Sequence, residues 1–287
     1  MFQLELIVVG IVWGCTYAMM ALGLTLVYGL LRILHIAHAA IFTLGAYIGV
    51  IVANQTGNLW IALPSAMLIA GIVGPAIYRL VYEPILKQPP YVALIASIGV
   101  LIAMEDGFRL VFGPYGLSFL QNPWFTTIYD FGGISLNLVQ IWMIAASVVL
   151  ISAFAAFSVG TRAGVAWRAT VSDPPIASSF GIDVIRVRYT SFFVASCLAA
   201  VAGVLVGLLN NLVEPGMGNI VSYKGLAIIV LGGLGNVIGT LIASLVLGIV
   251  ESFGTVYMSK VMDRDAIAFL FLIVVLMLRP QGLFAAK

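Results

Sequence analysis

The stretch Tyr189 to Leu209, YTSFFVASCLAAVAGVLVGLL, holds no Asp, Glu, Lys or Arg. At about 1.5 Å per helical residue it crosses the roughly 30 Å hydrocarbon core of a bilayer. Similar apolar runs precede it at Leu6 to Leu30, Ala37 to Ala53, Leu59 to Val81, Tyr91 to Phe112 and Leu136 to Val159. Others follow at Ile220 to Leu234, Val237 to Tyr257 and Ile267 to Leu278. The pattern predicts an all-α, polytopic transmembrane helical bundle of eight or nine spans, a single domain over residues 1–287.

Composition leads to the same place. Of 287 residues, 62% are apolar and 8% charged, against roughly 45–50% and about 25% in soluble domains. Thirteen basic and eleven acidic side chains cannot clothe the exterior of a soluble globule of this size. With a mean hydropathy of +1.16, membrane lipid takes the place of water over most of the surface. A net charge of +2, with basic residues scattered and without aromatic interleaving, excludes nucleic acid as a partner. Cys15 and Cys197 lie inside apolar runs and read as small packing residues. The opening MFQLE has Glu5 and no basic lead, so Leu6 to Leu30 is expected to be a retained first span. Trp13-Gly14-Cys15 resembles a lipoprotein cleavage site only superficially.

Leu231-Gly232-Gly233-Leu234-Gly235-Asn236 separates two runs, and its glycines read as a tight turn in preference to a broken re-entrant helix. Basic residues in short loops mark the cytoplasmic side. Residues 162–188 hold Arg162, Arg168, Arg186 and Arg188, whereas 113–135 holds no Lys or Arg and only Asp130. The former is therefore expected inside, with Arg32, Arg79, Lys87, Arg279 and Lys287, and the N-terminus outside. Tyr257 to Asp265 falls outside, where Lys260 and Arg264 oppose Asp263 and Asp265. Trp124, Phe125 and Tyr129 suit either an aromatic-belted outer connector or a docking surface for an extracytoplasmic partner.

Soluble-enzyme motifs are missing from the chain. The lysines are Lys87, Lys224, Lys260 and Lys287, and none follows a glycine, so no P-loop can form. Any ATP-driven work must come from another polypeptide. His35 and His38 would share one helical face but lack an evident third ligand, so no metal site and no cofactor is expected. Glu105 and Arg109 are spaced to pair on their own helix. Lys224 and Glu251, expensive at membrane depth, either pair between adjacent spans, line a path or snorkel. No chain of carboxylates runs through the spans as a proton relay would.

The cytoplasmic segment 160–188 encodes one short helix with both ends specified. Asp173 suits the N-cap and Pro174 the first position, while Gly181 supplies a left-handed stop. The helix is predicted over Pro174 to Phe180, with Ile176 and Phe180 on one apolar stripe. So short a helix needs a surface to dock on, either a partner protein or the bilayer.

At these residues the sequence resembles the inner-membrane permease subunits of bacterial ABC importers for branched-chain amino acids, of the H type. The resemblance covers nearly the whole chain. It runs through Tyr17 to Gly29, Ala93 to Gly99, Arg168 to Asp173 with Ser179 to Ile182, Lys224 to Gly239, Leu247 to Glu251 and Arg279 to Phe284. It implies an inner-membrane permease pairing with a homologous second permease and two cytoplasmic ATP-binding subunits, fed by a periplasmic solute-binding protein. It also implies that Asp173, Pro174, Ile176, Phe180 and Gly181 form the ATPase-coupling helix, through which ATP drives alternating access.

Two departures stand out. His35-Ile36-Ala37-His38-Ala39-Ala40 lacks the Asn before Ala-His and the Gly-acid pair after it that such permeases commonly carry, which leaves related amides, urea or carboxylates open as solutes. Asp173-Pro174-Pro175 replaces the usual charged and small residues. A weak likeness between Gly23 to Gly49 and Gly225 to Gly248 suggests an internal repeat, nominating His38, Tyr47, Lys224 and Asn236 as pathway-lining residues. A self-sufficient carrier or channel, or a membrane enzyme, are the competing readings.

Overall fold

The computed structural model describes residues 2–258, 262–279 and 282–283. Lys260, Lys287 and part of the Arg279 to Phe284 motif lie outside them. Helices run in the order α1 (Phe2–Leu31), α2 (His38–Thr56) and α3 (Leu59–Ile77), the last continuing through a π-helical stretch (Tyr78–Tyr82) into α4 (Glu83–Ile85). There follow α5 (Pro90–Phe112), α6 (Pro123–Thr126), strands β1 (Ile128–Asp130) and β2 (Ser135–Asn137), α7 (Leu138–Gly160), α8 (Arg162–Ser172) and α9 (Pro174–Ser179). The chain closes with α10 (Val184–Asn210), α11 (Met217–Gly232), α12 (Val237–Tyr257) and α13 (Arg264–Leu278).

Among the described residues, seven helical segments are long and apolar enough to cross a membrane: α1, α2, α3 with α4, α5, α7, α10 and α12. The eight or nine read from the sequence exceeds this because α11 has 16 residues and α13 has 15, too few to span the core unaided. The protein is a helical multi-pass membrane protein. The all-α expectation needs one correction, since β1 and β2 pair antiparallel in a small hairpin.

Side-chain caps written locally fix most helix starts. Asn58 accepts from Trp60 N at 2.9 Å, and Asn137 and Gln140 form a reciprocal capping box opening α7. Asp183 and Asn236 cap α10 and α12, satisfying amides that have no partner within the helix.

Packing follows the small residues. α1 crosses α12 where Gly10 and Gly14 face Gly248, so tightly that a Cβ on Gly248 would stand 2.5 Å from Gly14 N, and one on Gly10 2.6 Å from Ile249 Cα. Two backbones in contact gain van der Waals energy where lipid offers no hydrophobic driving force. α2, α3 and α10 enclose the other core, in which Phe42, Tyr47, Tyr78, Tyr82, Phe192 and Leu205 are buried. α11 ends at Gly232, and positive φ values at Gly233 (92°) and Gly235 (82°) turn the chain into α12, the tight turn that the glycines predict.

The ends sort into two layers. On one side, Leu117 bridges Val213, Asn54 bonds Ser118 and Leu120, and Asn122 donates to Leu208 O. Trp124 sits here and is buried, not belted at the lipid interface as read from the sequence. It stacks on Trp142 at 5.6 Å and meets Trp60 edge-on at 5.2 Å. On the opposite side, Val171 of α8 lies against Gly29 at the end of α1, and Trp167 packs edge-on against Phe154 of α7.

Candidate functional site

At that second layer α9 forms where its end signals stand. Asp173 Oδ1 accepts from Ile176 N at 3.0 Å, and Pro174 at the first position has no amide to leave unsatisfied. Gly181 takes φ +81°, and Ile182 N returns to Ala177 O at 3.1 Å, closing the C-terminal end. The helix is Pro174–Ser179, one residue shorter than expected, with Phe180 as its C-cap. Ala177 is buried beneath it, whereas Ile176 is 56% exposed and Phe180 83% exposed. The chain thus presents a capped, rigid knob with two apolar side chains outward. α8, which sequence reading missed, is its base: Thr161 accepts from Gly164 N, and the Arg168 guanidinium donates to the Ser158 carbonyl of α7.

Inside the bundle Lys224 and Glu251 meet. Lys224 Nζ lies 3.0 Å from Glu251 Oε1 and 2.8 Å from Asp265 Oδ1. The Tyr17 hydroxyl donates to Glu251 Oε2 at 2.7 Å and accepts from Lys224 at 3.1 Å. Arg264 Nε reaches Glu251 Oε2 at 2.9 Å, with its guanidinium 3.9 Å above the Trp13 ring. Two cations balance two anions, joining α1, α11, α12 and α13. Such charges survive burial only when paired and hydrogen-bonded. Of the three sequence alternatives for Lys224 and Glu251, the pair forms.

His38, Tyr47 and Asn236, the other expected pathway residues, are not gathered with Lys224 into one cluster. His38 opens α2 and is buried, its ring against Gly23, where a Cβ would come within 2.6 Å of Nε2. Neither ring nitrogen has a hydrogen bond of good geometry, the Met20 backbone being its polar neighbour. His35 is in the connection before α2, its Nδ1 sharing a 2.6 Å hydrogen bond with the Tyr82 hydroxyl. Burial, reinforced by His38 beside it, pushes the His35 imidazole well below its ordinary value. Tyr47 stacks on Phe112 at 4.4 Å, and its buried hydroxyl has no hydrogen-bond partner. Asn236 caps α12 through Gly239 N.

Sequence reading missed Tyr17, Arg264 and Asp265 as members of the charge network. An available signal was that Arg264 and Asp265 open an apolar run directly, with no polar spacer. It also missed Asn219, which donates to Glu105 Oε2 at 3.0 Å. The expected pairing of Glu105 with Arg109 forms on α5.

A multi-pass helical bundle with paired charges in its interior and an exposed apolar knob is an integral membrane protein. The chain belongs to the family described as branched-chain amino acid transport system / permease component, which matches residues 6–278. It is 31% identical over 288 residues to the high-affinity branched-chain amino acid transport system permease protein LivH of Escherichia coli (strain K12), covering 96% of this chain and 92% of that one. It is 27% identical to the corresponding protein BraD of Pseudomonas aeruginosa, over 98% and 95% of the two chains. To the permease protein LivM of E. coli (strain K12) it is 26% identical, over 93% of this chain and 67% of that one. No solved structure gives a significant match.

Proposed function

We propose that this permease is the membrane-crossing subunit of an ATP-driven ABC importer of the bacterial inner membrane, moving branched-chain amino acids or related small solutes inward. The names of its relatives support the solute class. The observation that carries the coupling is α9, capped at both ends with Ile176 and Phe180 exposed. Too short to persist alone in water, α9 is held as a fixed lever at the basic, inner side of the bundle. One of the two ATP-binding subunits docks there, and closure of the pair on ATP displaces Asp173, Pro174, Ile176, Phe180 and Gly181 as one body.

In this reading α11 and α13 complete nine crossings, α11 with half of its residues buried among its neighbours and α13 packed on α11 and α12 through Ile267, Ala268 and Val275. A homologous second permease faces this one across the path, and resemblance to both LivH and LivM supports such a pairing. A periplasmic binding protein delivers solute at the layer of Leu117 and Val213. His38 and Tyr47, whose polar atoms lack good partners, face the moving solute. Lys224 and Asn236 hold the surrounding helices.

Reconstitution of the complex in proteoliposomes tests this. Uptake of leucine, isoleucine or valine should require ATP, and Phe180→Ala should lower solute-stimulated hydrolysis at least fivefold without loss of membrane insertion. Uptake without the ATP-binding subunits, or unchanged stimulation in the variant, overturns it.

A further inference from the structure

A crease on the flank of the bundle is apolar along its length and basic at one end. Met67 of α3, Phe154 of α7, and Phe193, Val194 and Cys197 of α10 bound a cavity of about 260 Å³. Phe154, Phe157 and Val194 carry it into a narrower pocket of about 20 Å³, which Trp167 of α8 and Thr190 of α10 close. At that end the chemistry changes. Arg162 and Arg168 lie on α8, each beside a residue lining the pocket. Arg186 stands one turn before Thr190, whose hydroxyl donates to the Arg186 carbonyl. The only acids between residues 162 and 190 are Asp173, which caps α9, and Asp183, 3.8 Å from Arg186. The Trp167 indole N–H is buried and donates to no acceptor, a donor that folding normally satisfies.

We propose that this crease binds one anionic phospholipid of the inner leaflet. An acyl chain lies along Phe154, Phe157 and Phe193, and the phosphate rests at the end of the crease where Arg162 and Arg186 stand. The wide part of the crease, about 260 Å³, admits a run of methylenes. Basic residues beside an interhelical crease attract anionic headgroups, and indoles favour that depth. A zwitterionic lipid would fill the same crease without compensating the guanidiniums. Because α8 ends at Ser172, directly before the Asp173 cap, the lipid braces the base of the α9 knob. The site is independent of which solute the permease carries.

Native mass spectrometry of the intact permease complex, titrated with phosphatidylglycerol or phosphatidylcholine of matched chains, tests the proposal. Phosphatidylglycerol should be retained at least fivefold better, and Arg162→Gln with Arg186→Gln should remove the preference. Ala153→Trp, at an exposed position lining the crease, should lower retention of both lipids. Phosphatidylglycerol carrying a diazirine in its tail should label peptides containing Phe154 and Phe193. Equal retention of the two lipids, an undiminished preference in the double variant, labelling confined to other helices, or cross-linking of a partner subunit into the crease overturns it.

Discussion

Lys224 Nζ and Glu251 Oε1, on adjacent helices, stand 3.0 Å apart with side chains 5% and 0% exposed. The pair lies in the middle of a neutral group of four charges, so each ion's desolvation is offset only while the others are present.

Lys224→Met leaves Glu251 and Asp265 opposed by Arg264 alone. The variant should lose about 3–5 kcal/mol of stability, read as a lowered Tm of the permease in nanodiscs. Adding Glu251→Gln should restore more than half of that loss by removing the excess anion. An unchanged Tm in the single variant would show that the pair carries no net stabilisation.

The α1 and α12 crossing makes a contrasting pair of substitutions informative. A side chain at Gly248 drives into the Gly10 and Gly14 backbone, whereas a Cβ at Gly99 meets nothing within 4 Å. Gly248→Val should therefore cost about 1–3 kcal/mol or more through overpacking and reduce the yield of folded protein. Gly99→Ala should leave yield and Tm at the wild-type level.

Acidification should weaken the fold through His35. Its folded-state value is held down by burial, so below the ordinary value of 6.5 the unfolded chain binds a proton that the folded chain refuses. Stability thus rises with pH across that window and falls by up to about 1.4 kcal/mol per pH unit on descending it. His35→Asn should flatten this slope in chemical unfolding measured between pH 7 and pH 5. A slope as steep as wild type would mean that other groups produce it.

Both caps of α9 are separable from its apolar face. Asp173→Ala removes an N-cap worth about 1 kcal/mol, and Gly181→Ala places a Cβ at φ +81° for about 1–2 kcal/mol. Each should speed hydrogen exchange across Ile176 to Phe180 roughly fivefold or more, while Phe180→Ala should leave exchange unchanged. Protection that persists in both cap variants would place the rigidity of α9 elsewhere.

Much of the helical layout was legible because hydropathy and caps are local. Asp173 and Gly181 mark the ends of α9 within one short segment, and the glycines from Gly232 to Gly235 mark a turn. α8 was hidden because it is too short and too mixed, with Arg162, Arg168, Thr170 and Ser172 among its alanines and valines, and its order comes from packing Trp167 on Phe154 of another helix. The charge network was half legible. Lys224 and Glu251 stood out as ions in apolar runs, but the Tyr17 hydroxyl joins them across 207 and 234 positions of chain, which no periodicity encodes. Trp124 misled for a related reason, since an indole suited to the interface is equally suited to two other indoles.

That indole cluster has a spectroscopic consequence. Three of the five tryptophans in the chain, Trp60, Trp124 and Trp142, occupy one corner where the 113–137 connector meets α3 and α7. Intrinsic emission is therefore weighted toward that corner, and release of the connector would alter the signal while the rest of the bundle stayed intact. Fluorescence would follow the outer cover, leaving circular dichroism to follow the helices beneath it.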